Sequence, residues 1–193
     1  MAKINSRQLK GPWLEGYALD VHSTGSEFLG YDEYGHEQFD TKRTDVGELL
    51  YRVKYKGDEA ALAELADVMA EFVKSKGISA EIIVPVPPTR VRRVQPLFRI
   101  VTALSQRLRI PVISTAVKKS GGAELKDLHD FEERRKVLEN AISVDPRQVA
   151  GKRILLVDDL IRSGATIAAV AEQLTAAGAR TVYVLAATQT RRR

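Results

Sequence analysis

The run Ile154-Leu155-Leu156-Val157-Asp158-Asp159-Leu160-Ile161-Arg162-Ser163-Gly164-Ala165-Thr166 constrains the fold more than any other part of the chain. Four consecutive apolar residues show no polar alternation, so a strand built from them has no face for water. Such strands belong to parallel sheets covered by helices on both sides. Two carboxylates follow at once, then a loop rich in small residues, then Ile167, Val170, Ala171 and Leu174 at helical spacing before Gly178. The order strand, acid pair, loop, helix puts the acids and the loop beyond the carboxyl end of a strand, where open α/β sheets take their ligands.

The rest of the chain repeats this alternation. Ile82-Ile83-Val84-Pro85-Val86, Pro111-Val112-Ile113-Ser114 and Thr181-Val182-Tyr183-Val184-Leu185 read as further strands. Asp58 reads as the N-cap of a helix whose apolar stripe is Leu62, Leu65, Ala66, Met69 and Val73, and which Gly77 closes. A second helix is expected from Gln95 or Pro96 to Leu108, and a short one over Phe131 to Glu139. Residues 1–46 differ in texture. Trp13, Tyr17, Phe28, Tyr31, Tyr34 and Phe39 stand in short runs broken by Thr24-Gly25 and Tyr34-Gly35, a pattern that predicts an antiparallel β meander. The expected division is an aromatic extension or hood over 1–46, an α/β core over 47–188 and a basic tail over 189–193.

Composition removes several classes of function. The 193 residues include no Cys, which excludes a disulfide framework and a thiolate zinc site. His22, His36 and His129 are scattered and do not suggest a histidine metal site. No apolar run reaches the roughly 20 residues of a membrane span, and no apolar signal core follows the first Lys. A soluble, cytosolic protein is expected. A net charge of +5 permits an anionic partner without demanding one.

The chemistry of residues 158–166 suits a sugar phosphate. Backbone amides from Arg162 to Thr166 can converge at a helix N-terminus, where the dipole and the unpaired N–H groups favour a phosphate. Gly164 lets the backbone approach closely, and Ser163 and Thr166 add hydroxyl donors. Asp158 and Asp159 are acceptors suited to two vicinal ribose hydroxyls and can sit near a magnesium ion. A strand ending in an ordinary acidic turn is the bland alternative. It does not account for the acids, loop and helix occurring together. The Gly-Lys-Ser/Thr ending of a P-loop and the Gly-x-Gly-x-x-Gly fingerprint are both missing.

Residues 154–166 resemble the phosphoribosyl pyrophosphate (PRPP) motif of type I phosphoribosyltransferases. The wider pattern is similar to the ComF (competence protein F) branch. It is carried by Gly47-Glu48-Leu49-Leu50-Tyr51-Arg52-Val53-Lys54-Tyr55-Lys56-Gly57-Asp58, by Val84-Pro85-Val86-Pro87, by Glu133-Arg134-Arg135 and by Gly151-Lys152. The resemblance covers about 47–188 and implies a parallel five-stranded core with helices on both faces and a variable hood. It also implies displacement of pyrophosphate from C1 of PRPP by an acceptor, commonly a nitrogen nucleophile, with Mg²⁺ present. On that reading Asp158 and Asp159 are the catalytic acids that hold the ribose hydroxyls and stand near the metal. Arg162, Ser163, Gly164, Ala165 and Thr166 cradle the 5′-phosphate, and Pro87, Pro88, Thr89 and Arg90 form the pyrophosphate loop. The chain departs from the pattern in placing Arg162-Ser163 where two threonines are usual. It also lacks the cysteine-rich N-terminal module of many relatives.

From Ile82 to Ala123 the chain has no acid but carries Arg90, Arg92, Arg93, Arg99, Arg107, Arg109, Lys118 and Lys119. Arg90 stands where a pyrophosphate would lie. Lys118 and Lys119, beside Gly121-Gly122, are candidates for a lid that excludes water. Arg99, Arg107 and Arg109 read as a solvated helix face. No general base stands out. A second class of function keeps the fold without catalysis: a nucleic-acid-handling or regulatory module that binds single-stranded DNA through these cations. The aromatic N-terminal segment would pack on the core, on an acceptor or across a homodimer.

Overall fold

The computed structural model describes residues 1–88, 95–120 and 141–191. Its centre is a five-stranded sheet in the order β1 (Arg7–Gln8), β2 (Glu15–Val21), β9 (Thr181–Gln189), β8 (Arg153–Ile161) and β5 (Ile82–Pro85). The pairs β2–β9, β9–β8 and β8–β5 are parallel, and β1 is antiparallel to β2 at one edge. β8 is therefore interior, as its four apolar residues require: Ile154, Leu155, Leu156 and Val157 are all fully buried. The run at Pro111–Ser114 contributes only a single parallel bridge, Val112 with Ile83, rather than a full strand.

Helices cover the sheet. α1 (Asp45–Tyr51) begins at Thr44, whose hydroxyl accepts from the Gly47 amide at 3.0 Å and donates to the Val21 carbonyl at 2.7 Å. One residue thus caps the helix and fastens it to the end of β2. A π-helical turn over Arg52–Lys56 follows, closed by Gly57 at φ 63°. α2 (Glu59–Ser75) starts at Asp58, which accepts from the Ala61 amide at 2.9 Å and from both Nε and Nη2 of Arg52. Those bonds hold the Asp58 carboxyl below its usual range, the Ala61 amide contributing most and Arg52 next. α3 (Pro96–Leu108) has Pro96 in its first turn and buries Leu97, Ile100, Val101 and Leu104. Arg99 and Arg107, read as solvated, instead tie α3 to α2 through Glu59 and Asp67. The short α4 (Pro146–Val149) precedes β8, and α5 (Ala165–Ala176) follows it.

Two further structural expectations change. The N-terminal segment is not one antiparallel meander: Glu15–Val21 lies inside the main sheet, parallel to β9. Its inward residues Ala18, Leu19 and Val21 are buried, so the apolar gain of a place in the core decides its partner. The antiparallel pairs of the N-terminal segment are β1 with β2 at the edge of the main sheet and, apart from that sheet, β3 (Ser23–Tyr31) with β4 (Glu37–Arg43), around a turn at Asp32–His36. The second change concerns Lys118 and Lys119, expected at the start of a lid loop. They belong to β6 (Val117–Lys119), which pairs antiparallel with β7 (Ile142–Val144). The helix expected over Phe131–Glu139 lies outside the described residues, as do Thr89, Arg90, Arg92, Arg93, Gly121, Gly122 and His129.

Candidate active site

β8 runs through both acids and ends at Ile161, so Asp158 and Asp159 lie at its carboxyl end with their backbone still in the sheet. Asp158 accepts from the Asp159 amide at 2.8 Å. Asp159 holds Lys54, with Nζ 2.8 Å from Oδ1 and both side chains largely shielded from solvent. The Asp158 carboxyl is pushed up to about 7, first by burial and then by the negative charge of Asp159.

Beyond Ile161 the chain turns through Arg162, Ser163 and Gly164 into α5. Gly164 is the N-cap at φ 85°, a conformation open to glycine and strained for other residues, and no side chain caps the helix. The Ser163 hydroxyl faces the Ala165 amide at 3.4 Å. A helix start whose N-cap residue has no capping side chain, and whose first amide meets only that long serine contact, suits an anion beside the exposed Arg162.

A cleft of about 630 Å³ brings the parts together. Asp158, Asp159, Arg162, Ser163, Gly164 and Thr166 line it on one side, and Pro87 and Pro88 on the other. Ala165 is buried at the first position of the helix and is not part of the lining. Lys118 and Lys119 do not line the cleft either. Lys119 has its Nζ buried without a partner among the described residues, and burial lowers its pKa. Thr89 and Arg90 lie outside the described residues, so the pyrophosphate loop is seen only at Pro87 and Pro88.

Among the cleft residues not expected from sequence, Lys54 and Tyr55 bring polar groups from a separate element. Both sit on the π-helical turn, a widened turn of the kind often found at functional sites. The Tyr55 ring lies 5.1 Å from that of Tyr51, and Arg43 stands 3.9 Å above the Tyr51 ring. The only sequence signal is the cation-aromatic run Tyr51-Arg52-Val53-Lys54-Tyr55-Lys56 before a capping glycine. Behind the acids, the Thr188 hydroxyl lies 3.4 Å from both the Asp159 carbonyl and His22 Nδ1. Burial, followed by the charges of Lys54 and Arg43, holds His22 below its ordinary pKa.

A family model described as "Phosphoribosyl transferase domain" matches residues 58–192. The chain belongs to that family. No curated protein sequence matches it. Among solved structures it is similar to an adenine phosphoribosyltransferase (APRTase) from Giardia lamblia complexed with 9-deazaadenine, with a TM-score of 0.51 and 14% identity over 86% of this chain and 94% of that one. It is also similar to an adenine phosphoribosyltransferase from Thermoanaerobacter pseudethanolicus, with a TM-score of 0.48 and 17% identity over 84% and 94% of the two chains. A third similar structure is the glutamine PRPP amidotransferase from B. subtilis complexed with ADP and GMP, at 0.49 and 15% over 84% and 36%. The chain spans about a third of that amidotransferase. The phosphoribosyltransferase fold is thus established for this chain, with β8 and the loop after it at the centre of the cleft.

Proposed function

We propose that the chain binds PRPP and transfers its 5-phosphoribosyl group to an acceptor, most simply a nitrogen nucleophile, with release of pyrophosphate. One observation carries the reading: the acid pair Asp158–Asp159 and the uncapped helix start at Gly164 face a single cleft of about 630 Å³. The 5-phosphate fits the loop Arg162–Thr166, and the ribose hydroxyls fit the two carboxylates. The pyrophosphate then extends toward Pro87 and Pro88.

In the reaction the C1–oxygen bond to pyrophosphate breaks as the bond from C1 to the acceptor forms. This chain's residues fix the sugar in place, and positioning of that kind is worth several kcal/mol of barrier. Lys54 orients the Asp159 carboxylate, which accepts from a hydroxyl.

A divalent cation fits the donor set only in part. Asp158 and Asp159 supply hard oxygen ligands of the kind Mg²⁺ takes. Among the described residues, however, no three acidic or histidine side chains converge as a metal cage. The two acids would hold the ion together with substrate oxygens, and it would supply charge neutralisation for the departing pyrophosphate.

Isothermal titration with PRPP in the presence of Mg²⁺ tests the reading. Saturable binding by the wild type, lost in Asp158→Asn/Asp159→Asn, is the expected result. An absence of heat, or equal binding by the double variant, overturns it. Release of pyrophosphate on adding candidate nitrogen heterocycles then tests the transfer step.

A further inference from the structure

The chain leaves β9 through Thr190, one residue past the last register pair, Ile161 with Gln189. Thr190 holds two consecutive carbonyls of the neighbouring chain segment. Its amide donates to the Ile161 carbonyl at 2.8 Å, and its hydroxyl donates to the Arg162 carbonyl at 3.2 Å. The next residue is fastened on the far side, with Arg191 Nη1 donating to the Thr24 carbonyl at 3.2 Å. Along a regular strand successive carbonyls point to opposite sides. Two of them held by one residue mark the place where the chain bends away from β8.

In a trans peptide the C=O and the N–H that follows it point opposite ways. With the Ile161 and Arg162 carbonyls both turned to Thr190, the amides of Arg162 and Ser163 both turn away from β9. β8 has β9 on one side and β5 on the other. Pro87 and Pro88, which follow β5, form the opposite wall of the cleft. The two amides are therefore aimed at the cleft. Among the described residues neither of them, nor the Gly164 amide after them, has a hydrogen-bond partner. Consecutive unpaired amides on one side of a turn make a concave nest for an anion. Thr190 itself stays behind the loop. It faces the groove beside α5, which shares Arg162, Ser163 and Gly164 with the cleft, and it does not line the cleft.

We propose that Thr190 is a positioning residue for the phosphate loop: its hydroxyl sets the Arg162–Ser163 peptide so that the Ser163 amide meets the 5-phosphate of PRPP. This role rests on the function proposed above and goes beyond it in naming what fixes the loop before substrate arrives. The amide bond to Ile161 extends β9 whatever the side chain, whereas the hydroxyl bond to Arg162 needs a Ser or Thr. A peptide left free to rotate would have to be ordered by the ligand, and a preset one does not. Thr188, two residues earlier, makes a longer contact of the same kind, its hydroxyl 3.4 Å from the Asp159 carbonyl and equally far from His22 Nδ1. The shorter bond is the one at the phosphate loop.

Isothermal titration of the full chain in the presence of Mg²⁺, with PRPP, ribose 5-phosphate and inorganic pyrophosphate as separate probes, tests this. Thr190→Val keeps the branched shape and the amide and removes the hydroxyl. It is expected to bind PRPP and ribose 5-phosphate each about five- to tenfold more weakly, the size of one lost hydrogen bond, with pyrophosphate affinity unchanged. Thr190→Ala repeats the loss without the added methyl. Thr190→Ser keeps the donor and restores both affinities to within about twofold of the wild type. Unchanged PRPP affinity in the two variants that lack the hydroxyl overturns the role. So does an equal loss for all three probes, which marks general loosening, or a serine variant as weak as the valine one. A wild type that binds neither PRPP nor ribose 5-phosphate is a different failure: it overturns the proposed function, and the role of Thr190 with it.

Discussion

Lys54 Nζ and Asp159 Oδ1 lie 2.8 Å apart, which joins the turn between α1 and α2 to the carboxyl end of the central strand. Neither residue has another ion-pair partner among the described residues. Removing the lysine leaves a half-buried carboxylate beside a second one. Lys54→Met is therefore expected to cost about 1–3 kcal/mol of stability. That corresponds to a fall in Tm of very roughly 2–4 °C per kcal/mol for a chain of this size. PRPP affinity is expected to fall about tenfold in the same variant. Differential scanning calorimetry and isothermal titration read the two effects. Unchanged values for both would assign the pair no role.

The Asp158 carboxyl gives stability an uncommon pH dependence. Its pKa is about 7 in the folded chain, against roughly 4 for an unfolded Asp. Between those values the folded state keeps a proton that the unfolded state has lost, so Asp158 costs stability as pH rises from about 4 to 7 and no further above it. Asp158→Asn removes that cost. The variant is expected to be more stable than the wild type by roughly 1–3 kcal/mol at pH 8, after allowance for partial exposure, with little advantage at pH 4.5. PRPP binding is expected to be lost in the same variant. Urea denaturation across the pH range reads the difference.

At Gly164 the backbone conformation, not crowding, forbids a side chain. A Cβ at this position would have Ile161 Cγ2 as its nearest neighbour at 3.9 Å, an ordinary contact, while φ is 85°. Gly164→Ala is expected to lose about 1–2 kcal/mol through left-handed backbone strain. It is also expected to weaken phosphate binding as the loop relaxes. Equilibrium unfolding with and without PRPP separates the two effects.

Gly47 is constrained in the opposite way. A Cβ there would stand 2.0 Å from the His22 carbonyl oxygen, which is backbone and cannot swing aside. Gly47→Ala is expected to cost about 3 kcal/mol or more by forcing α1 off the end of β2. Tm and near-UV circular dichroism report it. A neutral result would mean that α1 and His22 move apart freely.

Much of the core is legible in the sequence because single residues announce it. Asp58 and Gly77 bracket α2, Pro96 opens α3, and the unbroken apolar run of β8 requires neighbours on both sides. The placement of Asp158 and Asp159 at a strand end follows from the same run. Glu15–Val21 misleads because alternation reports burial but not the direction of the partner strand. Pairing with β9 is a contact across more than 160 residues of sequence. Lys54 escapes notice for a related reason. A lysine in a helical stretch looks like any solvated cation until the fold sets Asp159 opposite it. Lys118 and Lys119 look like loop residues because three-residue strands carry too little pattern to register.

The widened turn at Arg52–Lys56 sets an angular constraint on the chain. The Gly57 amide reaches back five residues to the Arg52 carbonyl, where an ordinary helix spans four, and the Asp58 amide reaches the same oxygen across six. Deleting one residue there would let the turn tighten into regular α-helix and swing Lys54 round the axis by about 100°. Segment length between Tyr51 and Asp58 is thus a functional dimension of the molecule, and a chain one residue shorter would carry its lysine facing the wrong way.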